Sequence, residues 1–75
     1  MDVDDLIEIK PGVRRGKPCF KGTRITVYDV LEYMAGGMTE PELLDNFPAL
    51  RQEHLRAALM FAARRERRLA SLLAG

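Results

Sequence analysis

The sequence predicts a mainly α domain in which three helices with helix-turn-helix spacing follow a short N-terminal β-hairpin, the last helix being long. Three observations carry that reading. The apolar period changes from about two residues to about 3.6 at Thr26. Gly36-Gly37 and Pro48 divide the remainder of the chain into segments, and no helix breaker occurs between Arg51 and Gly75. At 75 residues the chain reads as a single domain, an arm over 1–25 and a bundle over 26–75. A domain this short hides only about 60% of the surface that its unfolded chain exposes. Its core rarely supplies more than ~3–5 kcal/mol, so association into a homodimer or higher oligomer is expected.

In the arm, Ile7 and Ile9 alternate with Glu8 and Lys10, Pro11-Gly12 interrupts, and Pro18-Cys19-Phe20 forms a second apolar stretch. That pattern fits two short strands in a loose hairpin, with Pro18 limiting strand length because it donates no ladder hydrogen bond.

Thr26 can cap a first helix over 27–35, with Asp29 at its third position and Val27, Val30, Leu31 and Met34 as one apolar stripe. Gly36-Gly37 ends it. Thr39-Glu40-Pro41-Glu42 is a capping box that starts a second helix over 40–46, with Met38 placed to fold onto Leu43 as a staple. Leu44 and Phe47 extend its apolar face and Pro48 stops it. A third helix starts near Arg51 and, if it runs to the end, spans roughly 36 Å at about 1.5 Å per residue. Leu55, Ala58, Leu59 and Ala62 are its expected packing positions. The series Leu55, Leu59, Ala62, Glu66, Leu69 and Leu73 keeps a four-three alternation broken only by Glu66. Leu69, Leu72 and Leu73 therefore form a seam beyond the reach of the three-helix core, available to a second copy or to a partner.

The net charge of +1 conceals four blocks of alternating sign. Residues 1–9 carry four acids, and 10–24 carry Lys10, Arg14, Arg15, Lys17, Lys21 and Arg24 with no acid. Residues 25–50 hold only acids, and 51–75 hold six arginines against Glu53 and Glu66. A phosphate backbone responds to such local blocks within about 8–10 Å. Six like charges in one loop repel unless solvent or an anionic partner offsets them.

Chemistry is sparse. One histidine, His54, one serine, Ser71, and one cysteine, Cys19, leave no triad, no paired cysteines and no spaced metal ligands, so neither an enzyme nor a metal or other cofactor is expected. His54 reads as a helix-surface residue and Cys19, between Pro18 and Phe20, as a small buried hydrophobe. The lone cysteine excludes an intrachain disulfide, no secretory signal precedes the acidic start, and no apolar run approaches the roughly 20 residues that cross a bilayer. A cytoplasmic location is therefore expected.

The second helix, the connection around Pro48-Ala49-Leu50 and the third helix have helix-turn-helix lengths. In that geometry the N-terminal residues of the last helix meet base edges, here Arg51, Gln52 and Arg56. Any three-helix bundle contains a short-helix, turn, long-helix unit, so the pattern alone leaves a purely structural reading open. Arg14, Arg15, Lys17, Lys21 and Arg24 would serve a phosphate backbone or an acidic protein surface. Arg64-Arg65-Glu66-Arg67-Arg68 reads either as a solvated face or as a contact for phosphates or acids.

The stretch Gly16-Lys17-Pro18-Cys19-Phe20-Lys21-Gly22-Thr23-Arg24-Ile25-Thr26-Val27 resembles the GKPxxKGTRIxV signature of the bacterial family known as domain of unknown function 433. The resemblance continues through Gly36-Gly37-Met38-Thr39, Asn46-Phe47-Pro48-Ala49-Leu50 and Ala57-Ala58-Leu59, and covers about residues 6–63. It implies a homeodomain-like three-helix fold. Because some members are similar to VapB-type antitoxins, encoded beside PIN-type ribonuclease toxins, it also implies an autoregulator that masks a nuclease. The matching motif residues are Gly22, Thr23, Arg24 and Ile25: Gly22 would allow a turn, Thr23 would bond backbone, and Arg24 would hold a carboxylate or phosphate. Members often have Thr or Ser where this chain has Arg51. That substitution removes a helix cap, costing about 1 kcal/mol if nothing replaces it, and adds a positive charge. The arginine-rich C-terminal stretch lies beyond the shared region.

The resulting expectation is a homodimeric, antitoxin-like, promoter-binding regulator that also binds a PIN-type toxin. The alternative is a protein-interaction module that never touches DNA. RNA binding ranks lower, because Phe20, Tyr28, Tyr33, Phe47 and Phe61 mostly occupy packing positions rather than places suited to base stacking.

Overall fold

The computed structural model describes the backbone of residues 3–74 and the side chains of residues 5–71. Its elements in order are α1 (Val3–Leu6), β1 (Ile7–Glu8), β2 (Cys19–Phe20), α2 (Val27–Ala35), α3 (Glu40–Asn46) and α4 (Gln52–Ala74). The chain is thus mainly helical, with a short antiparallel hairpin near the N-terminus and a long last helix. Two elements have no counterpart in the sequence reading: a 3-10 turn at Arg14–Gly16, inside the loop between the strands, and α1, ahead of β1. A single helical turn replaces the extended start expected there, and it lies against α4, which a pattern of local alternation does not reveal.

Ile7 pairs with Phe20 and Glu8 with Cys19 across the hairpin. A second, tighter hairpin comes directly after it. Phe20 N–H donates to Ile25 O at 3.0 Å and Val27 N–H to Pro18 O at 3.0 Å, with Cys19 bridged to Thr26. Its turn is Phe20 to Thr23, closed by Thr23 N–H to Phe20 O at 3.0 Å. Gly22 sits at the third position with φ 76°, where a type II turn requires the left-handed region.

Thr26 caps α2 as its spacing predicts, accepting from Asp29 N–H at 2.9 Å although its own residue is 1% exposed. At the other end Met38 N–H reaches Tyr33 O and Gly37 N–H reaches Met34 O, the two bonds of a Schellman closure with Gly37 at φ 102°. The capping box of α3 is complete: Thr39 N–H donates to Glu42 Oε1 at 3.1 Å, and Glu42 N–H to Thr39 Oγ1 at 3.4 Å. The Thr39 hydroxyl also donates to Glu42 Oε1 at 2.8 Å.

These bonds to Thr39, backbone first, hold the Glu42 carboxyl below its ordinary value of 4.5. A carboxyl whose pKa is depressed by folding adds stability above its unfolded value and loses it as pH falls through the folded one. Acid titration from neutral pH is therefore expected to destabilise wild type, and Glu42→Gln to flatten that part of the profile. Equal profiles in chemical denaturation would contradict the assignment.

Phe20, Val27, Val30, Leu43, Leu50, Leu55 and Ala58 form the core, flanked by Ile7, Ile25, Leu31, Met34, Met38, Leu44, Phe47 and Phe61. Leu59, expected to pack inward, is 50% exposed, while Ala57 is buried. Leu59 lies one residue, or about 100° of helix, beyond Ala58, which carries it off the Leu55–Ala58–Phe61 row. Every described side chain from Ala63 to Ser71 is exposed, and beyond Arg65, which reaches back to Tyr28, the distal part of α4 projects past the core. The molecule extends 42 Å along its long axis.

Candidate nucleic-acid interface

Two cationic regions emerge. The first is the start of α4, reached from α3 by a turn in which Leu50 N–H donates to Phe47 O at 2.9 Å and Leu50 is buried. Arg51, Gln52 and Arg56 are all exposed there, and neither arginine meets a carboxylate among the described residues.

Arg51 offers no side-chain acceptor to the first turn of α4, and the cap contact there comes from the far side of the turn. Arg51 N–H donates to His54 Nδ1 at 2.8 Å. A side chain three residues into the motif thus accepts from the residue before the helix, the half of a capping box that Glu normally supplies. This bond needs the neutral tautomer with its proton on Nε2. The His54 ring also meets Phe20 edge-on, centroids 5.5 Å apart at 89°. His54→Ala is expected to cost about 1–2 kcal/mol in urea denaturation, the sum of a cap and an aromatic pair. A change under about 0.5 kcal/mol, the scatter of ordinary surface sites, would contradict that role.

The second region is the loop between β1 and β2 with the turn after it. Gly12, Arg14, Arg15, Lys17 and Arg24 line an open concavity of about 440 Å³. Lys21 stands outside its lining: exposed on the turn, it donates its backbone N–H to Leu6 O at 2.8 Å. Lys10 is paired with Glu8 at 3.6 Å. Arg14 pairs with Asp29 at 3.2 Å, which fastens the loop to the first turn of α2. Arg15, Lys17 and Arg24 meet no carboxylate among the described residues.

The loop backbone is strained. Arg14 and Arg15 have φ of 47° and 58°. A left-handed conformation costs a residue with a Cβ about 1–2 kcal/mol. Bonds from Gly16 N–H to Val13 O and from Lys17 N–H to Arg14 O hold it, together with the Arg14–Asp29 pair.

The motif Gly22-Thr23-Arg24-Ile25 divides into a brace and an exposed charge. Thr23 donates its hydroxyl to Phe20 O at 2.8 Å and accepts from Ile25 N–H at 3.1 Å, so Gly22, Thr23 and Ile25 build the turn. Arg24 rides on it, exposed, over the concavity. Cys19 is buried, as its neighbours suggest, with Sγ 3.4 Å from Lys17 O.

Farther along α4, Arg65 belongs to packing rather than to a wholly solvated run. Its guanidinium lies 5.5 Å from the Tyr28 ring centre and 5.9 Å from that of Phe61, and it hydrogen-bonds the Tyr28 hydroxyl. Leu69 is 52% exposed on the projecting end, whereas the side chains of Leu72 and Leu73 lie outside the described residues. Among the described residues no group of three or more His, Cys, Asp or Glu is placed to hold a metal ion. None of the described helices is long and apolar enough to cross a membrane.

Sequence reasoning missed Asp29 as the anchor of the loop, His54 as a helix cap, and the Tyr28–Arg65–Phe61 clamp. The three-residue spacing of Arg51 and His54 could have shown the cap. Nothing local announces the other two, which join residues 15 and 37 positions apart.

Comparison with known proteins agrees with this architecture. A member of the DUF433 family from Anabaena variabilis, solved by crystallography, superposes with a TM-score of 0.80 and 32% sequence identity over 97% of this chain and 72% of that one. An uncharacterized protein, y4eO, of Sinorhizobium fredii is 33% identical over 58 residues, which are 77% of this chain and 26% of that protein. The chain thus spans about a quarter of the length of that curated relative. The model of the family described as protein of unknown function DUF433 matches residues 7–62, the β-hairpin, α2, α3 and the packed half of α4, and the chain belongs to that family.

Proposed function

We propose that this chain is an antitoxin-like, DNA-binding transcriptional autoregulator, and that it does no catalysis of its own. The observation that carries the reading is the start of α4: Arg51, Gln52 and Arg56 stand exposed, free of carboxylates among the described residues, on a rigid helix held by α2 and α3. Guanidinium and amide groups are those that pair with guanine and adenine edges, and in helix-turn-helix proteins they occupy this part of the last helix. A homeodomain-like arrangement of α2, α3 and α4 would set that end in the major groove. The likeness of some members of the family to VapB-type antitoxins supports a second partner, a PIN-type ribonuclease.

Titration of fluorescent duplexes tests the proposal. Affinity for DNA from upstream of the chain's own gene is expected to exceed that for a scrambled duplex by on the order of 10³-fold or more at physiological salt. Equal affinities would exclude base reading by α4.

A second reading, a protein-interaction module without DNA binding, is favoured by the projecting end of α4 with Leu69 exposed. It predicts no retardation of any duplex at low salt. It also predicts concentration-dependent self-association, or toxin binding, that Leu69→Glu abolishes.

A further inference from the structure

We propose that the concavity lined by Arg14, Arg15, Lys17 and Arg24 binds one phosphate-class oxyanion, a site distinct from the start of α4. Four cationic residues line one open volume of about 440 Å³, and among the described residues only Arg14 has a carboxylate, Asp29, to offset it. Three positive charges are left facing a common space, where their mutual repulsion falls when an anion enters.

The volume lies near the lower end of the roughly 300–1,000 Å³ typical of small-ligand sites, but its charged walls fit an oxyanion rather than an apolar ligand. Guanidinium forks match the paired oxygens of a phosphate, and Lys17 adds a point charge.

The supports on either side are fixed. Arg24 extends from the turn closed by the Thr23 hydroxyl, and Arg14 is drawn onto Asp29. Between them, Arg14 and Arg15 are kept left-handed where glycine would cost less. Backbone strain clusters at ligand sites, and here it falls on two residues of the concavity's lining.

The proposal deepens the nucleic-acid reading if the oxyanion is a backbone phosphate, and it stands without that reading if the oxyanion is free. The first probe is inorganic phosphate, added to the full chain against sodium chloride of equal ionic strength. At about ten times its Kd, phosphate is expected to raise Tm by roughly 6–11 °C more than chloride does. Phosphate also stabilises folded proteins generally by exclusion from their surfaces. The deciding quantity is therefore the difference between wild type and variants. Arg24→Gln and Arg15→Gln are expected to lose most of the increment, and Arg56→Gln to keep it.

Arg15→Gly separates binding from structure. Relief of the left-handed strain is expected to raise Tm without phosphate by roughly 2–6 °C, while phosphate affinity falls about tenfold, the equivalent of one charge-assisted contact. A lower Tm would mark Arg15 as purely structural and count against the site.

Duplex titrations over a range of salt distinguish the sources. A salt slope reduced by about 1 in Arg24→Gln identifies a backbone phosphate. An unchanged slope, with the phosphate response still dependent on Arg24, identifies a free or mononucleotide phosphate. An equal phosphate response in wild type, Arg24→Gln and Arg15→Gln overturns the site whatever the promoter titration gives. Conversely, equal promoter and scrambled affinities with an Arg24-dependent phosphate response remove only base reading by α4.

Discussion

Phe20→Ala is expected to leave most of the chain unfolded at room temperature. Phe20 is fully buried at the junction of β2, α2 and α4, where it packs with the core and receives the edge of His54. Truncating a buried phenylalanine costs about 3–5 kcal/mol, from lost transfer energy and from the cavity left behind. A core of this size supplies ~3–5 kcal/mol in all. The two numbers nearly cancel, so the helical far-ultraviolet circular dichroism signal should fall by half or more and the cooperative thermal transition should disappear. Phe20→Leu, which fills much of the same volume, should still unfold cooperatively at a lower midpoint. A folded Phe20→Ala chain would mean that the packing of α1 and α3 on α4 holds the domain without the hairpin.

Replacing Arg51 and Arg56 together by alanine is expected to reduce affinity for the chain's own promoter by on the order of 10²- to 10⁴-fold. A guanidinium gripping a base edge contributes about 1–3 kcal/mol of discrimination, and two separate contacts roughly add. Scrambled DNA should lose much less, because there each side chain supplies only one screened charge. The fold should not change. Both side chains are exposed without carboxylate partners among the described residues, and the cap on Arg51 uses its backbone N–H, which alanine keeps. Equal losses on both duplexes would reduce the two arginines to nonspecific phosphate contacts.

The helices were legible in the sequence because their boundaries are local events. Thr26 with Asp29, Thr39 with Glu42, and Gly36-Gly37 each satisfy or close backbone groups within five residues, and the observed spans of α2 and α3 coincide with those expected. The hairpin was legible from equally local signals, the alternation that begins at Ile7, the break at Pro11-Gly12 and the short apolar stretch Pro18-Cys19-Phe20. What local reasoning could not supply is what distant segments do for one another. α1 forms where α4 passes over it, and Arg65 is drawn from a basic run onto Tyr28. The inward row of α4 excludes Leu59 because the direction of the helix axis relative to α2 and α3, not apolarity alone, decides which stripe is covered.

The candidate sites were legible only in part. The cationic residues of both regions were visible as charge blocks, but a charge block does not say which members share a concavity. Lys21 falls outside and Arg24 inside because the turn that begins at Phe20 sends successive side chains in different directions. Two consecutive left-handed arginines have no sequence signal, since that conformation is ordinarily marked by glycine or asparagine.

Backbone amide chemical shifts, followed in isotope-labelled protein as promoter duplex is added at moderate salt, test the central claim most directly. The largest changes are predicted at Arg51, Gln52 and Arg56, with weaker ones from Arg14 to Arg24. Changes confined to the projecting half of α4, or none at all with the duplex in excess, would contradict it.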